Sequence, residues 1–349
     1  MSRRPRGLAR ARRKGRGRPV RRAGMWRGGQ LLLAALGIAL VWALISYAGP
    51  GPKAPKGQTT TVLLERGSSL AGIAGALDEA GVISSRVLFI VIAKASGASR
   101  ELKAGEYQFA STTSMRRVLN AIREGRVVRH QVTIPEGFTS QMAVEVLAAV
   151  PVLTGPVAAP PEGAVLPETY AFHRGEPRAE VLRRMREARE RLLAELWAGR
   201  QPGLPFKTPE EAVTLASIVE KETALPPERP RIAAVFVNRL RQGMRLESDP
   251  TIIYGLTEGR PLGRPILLSE LKGETPYNTY VIDRLPPTPI ANPGRASLEA
   301  VLNPPKTTEL FFVADGTGGH VFASTFAEHQ RNVARWRQLQ AQAKAMETR

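Results

Sequence analysis

Glu222 is the side chain in this sequence best placed to do chemistry, because a carboxylate stands where helical periodicity calls for an apolar residue. It lies in residues 208–224, TPEEAVTLASIVEKETA. Thr208 reads as an N-cap, Pro209 as the first helical residue and Glu211 as the partner in a capping box, and Pro226 and Pro227 end the run. At about 100° per residue from Leu215, Ile218 falls near 300°, Val219 near 40° and Glu222 near 340°, inside the apolar stripe. A carboxylate flanked by Ile218 and Val219 loses hydration, so its pKa rises until it can hold a proton near neutral pH and pass it to a leaving group. Glu222 is the candidate general acid. The same spacing also fits a helix-end Glu that turns to water or pairs with Arg or Lys. Glu220 lies about 160° around the helix from Glu222 and is at most a supporting group.

Other chemistries lack their residues. There is no cysteine, which excludes disulfides, thiolate metal sites and a thiol nucleophile. No P-loop, G-x-S-x-G elbow, dinucleotide fingerprint or H-E-x-x-H occurs, and His130, His173, His320 and His329 lack zinc-like spacing. No cofactor is expected, and acid–base work by a carboxylate is what remains.

The elements that must position Glu222 follow from pattern. Of a formal charge of +19, the first 27 residues carry 12 Arg and Lys and no acid, leaving +7 for the rest. Residues 28–48, GGQLLLAALGIALVWALISYA, carry no charge and as a helix reach across a bilayer of about 30 Å. We read them as a single transmembrane helix rather than a cleaved signal, with residues 1–27 as a basic cytoplasmic tail. Nucleic acid is not the partner expected for a tail with one aromatic and no binding fold. Residues 49–60, GPGPKAPKGQTT, read as a solvated Pro/Gly linker spanning at most about 37 Å.

Beyond the linker, a strand, a Gly turn and a Ser-capped helix begin at Thr61, and a second copy begins 70 residues later, with Val132, Gly137, Thr139 and Leu147 matching Val62, Gly67, Ser69 and Leu77. Between them lie an apolar helix over 87–95, a turn-strand around Gly105 and a helix over 115–124. Helices over 178–196 and 230–241 flank the Glu222 helix, and a hairpin over 310–322 precedes a terminal helix from about Thr325. From Gly243 the texture becomes Pro- and Gly-fixed loops bearing Tyr, Asn, Thr and Asp, suited to hydroxyl- and amide-rich polymers. Asp249, Tyr254, Tyr277, Asn278 and Tyr280 are the candidate substrate contacts. The fold class expected is α+β.

The motifs SIVEKET, MRLESDPTIIYG, TPYNTY, LPPTPIANPG and FVADGTGGHVF, in that order, resemble the YceG-like family of endolytic murein transglycosylases. The resemblance runs from about Thr61 to the C-terminus, with the preceding apolar segment. It implies a bitopic inner-membrane protein with a LysM-like α/β module over 61–131 and a mixed α/β catalytic domain over 132–349 facing peptidoglycan. It also implies that the second Glu of EKET, here Glu222, is catalytic. Residues 163–170, GAVLPETY, carry smaller side chains where the family commonly has aromatics.

The activity so implied is cleavage of the bond from N-acetylmuramic acid to N-acetylglucosamine in nascent strands, leaving 1,6-anhydro ends and terminating elongation. Asp249, Glu220 or the substrate's N-acetyl group would ease the charge at C1. Expected partners are glycan strands, the membrane, and peptidoglycan synthases or division and elongation machinery. Two other functions fit the residues: a tethered, non-catalytic glycan-binding scaffold, and a muramidase-type hydrolase pairing Glu222 with Asp249.

Overall fold

The computed structural model describes residues 23–347, so the basic tail lies almost wholly outside the described residues. The chain is mixed α/β and divides into two compact units, one ending at Val127 and the other beginning at Val128.

The first unit opens with α1 (Ala23–Ala48), whose segment Gln30–Ala48 has a mean hydropathy of 2.3 and is unburied, so it is long and apolar enough to cross a membrane. Strand β1 (Thr59–Leu64) pairs antiparallel with β2 (Gly105–Ala110) in the register Val62↔Tyr107 and Leu64↔Gly105. Period-2 alternation turns Val62, Leu64, Tyr107 and Phe109 inward. Helices α2 (Leu70–Glu79), α3 (Arg86–Ala95) and α4 (Met115–Glu124) supply the rest of this core. Each begins at a serine, Ser69, Ser85 or Ser114, whose hydroxyl accepts a backbone N–H three residues on, worth about 1 kcal/mol apiece.

The segment after α1 differs from the solvated linker expected from its composition. Gly51 N–H donates to Thr112 O (3.0 Å), Thr112 N–H donates to Pro52 O (3.0 Å), and Ala54 N–H donates to Ser111 Oγ (3.1 Å). Prolines remove donors from this stretch but leave alternate residues able to pair, which is enough to hold it against the 111–113 loop.

In the second unit, β3 (His130–Thr133) pairs antiparallel with β4 (Thr169–Phe172), and β5 (Phe311–Ala314) pairs with β6 (His320–Ala323). Thr139 caps α5 (Ser140–Ala148), so the repeated strand-turn-helix pattern is realised once in each unit. The helical core consists of α6 (Arg178–Ala198), α7 (Pro209–Glu222), α8 (Arg229–Arg241) and α11 (Arg295–Leu302), with Leu215, Ile218, Phe236, Leu298 and Val301 at its centre. The chain closes with α12 (Phe326–Glu347).

Two sequence expectations are corrected here. The region after Gly243 is not all loop: Asp249–Thr257 is helix α9 and Leu268–Leu271 the short α10. Pro250 in the first turn is a start signal, so the Ser-Asp-Pro run opens a helix instead of a turn. In addition, α7 presents no solvent-exposed face from Ala212 to Glu220, every residue of which is buried. Packed by α6, α8, α9 and α11, it is a central helix, and an apolar stripe on one side cannot distinguish Glu220 from Glu222.

Candidate active site

Helix α7 begins as its sequence dictates: Thr208 Oγ1 accepts from Glu211 N–H (3.2 Å), and the Glu211 carboxylate accepts from Thr208 N–H (3.0 Å), closing the capping box. It ends at Glu222, where Thr223 turns to extended backbone. The two glutamates of the EKET motif then meet different fates.

Glu220 is committed to structure. Its side chain is 3% exposed; Oε1 accepts from Arg229 (2.8 Å), and Oε2 accepts from Gly294 N–H (2.9 Å) and Ser297 Oγ (2.8 Å). The same Arg229 nitrogen donates to Glu136 (3.0 Å). Gly294 also lets the Glu136 carboxylate lie close, since a Cβ there would sit 1.9 Å from Glu136 Oε1 and displace it. The network joins α7, α8, α11 and the loop after β3.

Glu222 is partly buried and has a single hydrogen bond among the described residues, accepted from the Ser248 hydroxyl. Burial pushes its carboxyl up from 4.5 to about 7; the Ser248 bond pulls it down, the neighbouring Asp249 charge pushes it up, and His320 and Arg239 pull it down. It can therefore carry a proton at neutral pH and also give it up. Ser248 is the candidate site residue that sequence reasoning missed. It occupies the N-cap of α9 yet makes no capping bond, its hydroxyl being turned to Glu222. The residue before it, Glu247, is a non-glycine at φ 52°, a left-handed conformation that costs energy. It is held by its N–H to Thr279 O (3.1 Å) and by its carboxylate to Arg239 (3.0 Å). Ser248 N–H donates to Thr279 Oγ1 (2.9 Å), so the serine is fixed from both sides.

Of the remaining candidates, Asp249 and Tyr280 come together beside Glu222. The Tyr280 hydroxyl donates to Asp249 Oδ1 (2.7 Å), and burial followed by that bond raises the phenol above its ordinary range, with the Glu222 charge adding to it. Tyr254 and Tyr277 form an edge-to-face pair, centroids 4.9 Å apart, packed against the helical core. Tyr254 OH reaches Glu162 (3.5 Å), and Tyr277 OH pairs with Thr288 (2.8 Å). Asn278 is corrected from a substrate contact to a loop organiser. At 1% exposure its amide NH2 donates to the carbonyls of Glu270, Leu271 and Gly273, and its oxygen accepts from Tyr280 N–H, leaving no donor to offer a ligand.

A second arrangement adjoins Glu222. His320 N–H and Nδ1 both reach the Glu228 carboxylate (2.7 Å each), and Thr223 Oγ1 donates to it (3.3 Å). Burial pushes Glu228 up, but these bonds and the His320 charge outweigh it and leave the carboxyl below the usual range. The β5–β6 hairpin is thereby anchored to the turn that follows Glu222. Glu162 is a further carboxyl raised by burial, holding Ser140 N–H (2.8 Å) and the Asn292 amide (3.2 Å).

Ser248→Ala provides a direct check on this geometry. Loss of a hydrogen bond to the ionised form should raise the Glu222 pKa, so the alkaline limb of kcat/KM moves to higher pH while kcat falls roughly tenfold. An unmoved limb would separate Ser248 from Glu222.

A partly buried carboxyl poised near neutrality, with one hydroxyl donor and a second carboxylate–phenol pair alongside, is an acid–base site of the kind that suits glycan cleavage. The chain belongs to the YceG-like family, whose model matches residues 62–335. It is 29% identical over 305 residues to a Bacillus subtilis strain 168 protein named endolytic murein transglycosylase, covering 78% of this chain and 83% of that one. It is equally 29% identical, over 324 residues, to the endolytic murein transglycosylase of Streptococcus pneumoniae serotype 2 strain D39, covering 78% of this chain but 58% of the relative's length. A crystal structure of a yceG-like protein from Listeria monocytogenes matches 79% of this chain and 99% of its own at 28% identity, with a TM-score of 0.49.

Proposed function

We propose that this chain is a membrane-anchored endolytic lytic transglycosylase of peptidoglycan, with Glu222 as its acid and base. The observation that carries the reading is the Glu222 carboxyl at the end of α7, hydrogen-bonded to the Ser248 hydroxyl and pushed up by burial, in a chain whose relatives are named for this activity. Protonated Glu222 gives its proton to the glycosidic oxygen as the bond from muramic acid C1 breaks. The C6 hydroxyl of the same sugar then attacks C1 and returns its proton to Glu222, so the 1,6-anhydro ring closes, no water is consumed and the acid is restored.

Glu220 takes no part at C1, because both its oxygens are occupied by Arg229, Gly294 and Ser297. Asp249, exposed and next to Glu222, is the group that eases positive charge at C1, with Tyr280 orienting it. Tyr254 and Tyr277 offer ring edges to the sugars. Segment 28–48 is the membrane span, with the tail cytoplasmic, the 61–131 module LysM-like and the 132–349 domain catalytic. Strand termination near the membrane follows from that anchoring.

The test is to digest long uncrosslinked glycan with the full-length protein in detergent and analyse the products by mass spectrometry. Anhydro ends and early intermediate lengths are expected. Reducing ends would mean a hydrolase using Asp249 as partner, and unshortened glycan would mean a binding scaffold.

A further inference from the structure

The end of α1 does not open onto a free tether. Tyr47 packs against the core of the first unit, Gly51 N–H donates to Thr112 O and Thr112 N–H to Pro52 O (3.0 Å each), and a Cβ at Gly51 would lie 2.1 Å from Thr113 O. The segment therefore runs close against the 111–113 loop, and α4, which follows that loop, contacts α1. Segment Gln30–Ala48 has 19 residues, about 28 Å as a helix, which matches the hydrocarbon thickness of a bilayer. Whatever lies beside Ala48 thus sits at headgroup depth.

What lies there is a polar cleft of about 650 Å³, walled by the backbone at Ala48, Gly49 and Pro50 and by Thr112, Ser114, Arg116, Arg117 and Asn120. No acidic residue lines it. Neither guanidinium has an ion pair or hydrogen-bond partner among the described residues, whereas on and just after the same helix Arg123 pairs with Glu101 and Arg126 with Glu124 (2.7 Å). Residues 49–127 hold eleven basic side chains against six acidic ones, so this stretch carries an excess of positive charge. Basic residues at the outer end of a span run against the positive-inside bias.

We propose that this cleft is a binding site for the phosphate of an anionic lipid headgroup in the outer leaflet, gripped by Arg116 and Arg117 and oriented by Thr112, Ser114 and Asn120. Arginine's planar fork matches phosphate oxygens, and the hydroxyl and amide groups suit the glycerol or sugar portion of a headgroup. Its consequence is that the first unit is clamped at the membrane surface rather than swinging from it. The proposal rests on reading residues 28–48 as a span.

The test uses the full-length protein in neutral detergent, with soluble dioctanoyl phosphatidylglycerol titrated in and followed by microscale thermophoresis. Binding should saturate, weaken roughly tenfold or more in R116Q/R117Q, and stay within about twofold in R123Q/R126Q, with unchanged far-UV circular dichroism in both. Dioctanoyl phosphatidylcholine, which has no net charge, should bind far more weakly. Equal losses in the two double variants, or none in R116Q/R117Q, would overturn the site, the first result meaning diffuse charge attraction. Inorganic phosphate competing as well as the lipid would make it a free-anion site and overturn the lipid assignment. The intact mass of the membrane-purified protein tests the span separately: a chain beginning near Gly49 would remove the span reading, whereas a full-length mass with no lipid binding would remove only the cleft.

Discussion

Glu222→Gln should lower turnover of glycan by about 10²-fold or more while leaving the protein folded. The amide keeps the shape of the carboxyl and an oxygen for the Ser248 hydroxyl, but it has no transferable proton. Stability provides an independent readout, and its sign follows from the pKa. The folded-state value of about 7 lies above the ordinary 4.5, so the native protein binds more protons than the unfolded chain between those values. The contribution of protonated Glu222 is present below about pH 4.5 and is lost as pH rises to about 7. Wild type should therefore lose up to about 3 kcal/mol more stability across that window than the Gln variant, in which Glu162 and the other shifted groups still titrate. Thermal melts at pH 8 should show Glu222→Gln more stable than wild type, with the gap closing at pH 5. Normal turnover in the variant would remove Glu222 from proton transfer, and a melting difference independent of pH would contradict its raised pKa.

The second large effect belongs to the buried pair below the site. Arg229→Met should destabilise the protein by about 3–5 kcal/mol, because it strands Glu220 as an uncompensated charge whose side chain is 3% exposed. For a unit of this size, roughly 2–4 °C per kcal/mol, the melting temperature should fall by about 10 °C. Combining it with Glu220→Gln, which retains acceptors and donors for Gly294 and Ser297 without the charge, should recover part of the loss. Glu136, at 41% exposure, stays solvated when Arg229 is removed and adds little. Strict additivity of the two changes would show that Glu220 and Arg229 do not depend on each other.

These two glutamates also mark how far a sequence can be read. The start of α7 was legible because a capping box is local: Thr208, Pro209 and Glu211 act on their own backbone within one turn. The same holds for the serine caps of the first unit, the alternation in β1 and β2, the β5–β6 hairpin and the apolar run of α1. Glu222 itself was selected on a premise the packing does not support, since α7 is buried on every side from Ala212 to Glu220. What separates it from Glu220 is where the helix stops and what lies across from it.

Those partners come from far along the chain. Ser248 is 26 residues from Glu222, Ser297 is 77 from Glu220, and Gly294 is 74 from it, and no periodicity links such positions. Asn278 was a reasonable sugar contact by type, yet burial among three carbonyls consumed its donors. The segment after α1 read as a free tether by composition, and only the loop at 111–113 made it part of the first unit. Short-range hydrogen bonding and periodicity are written into adjacent residues, so the sequence by itself determined most of the elements, the Ser and Thr caps and the candidate acid, though not α9 and α10. Desolvation and long-range hydrogen bonds depend on which surfaces meet, so only the tertiary structure decided that Glu220 is held by an arginine and that Glu222 is left to titrate.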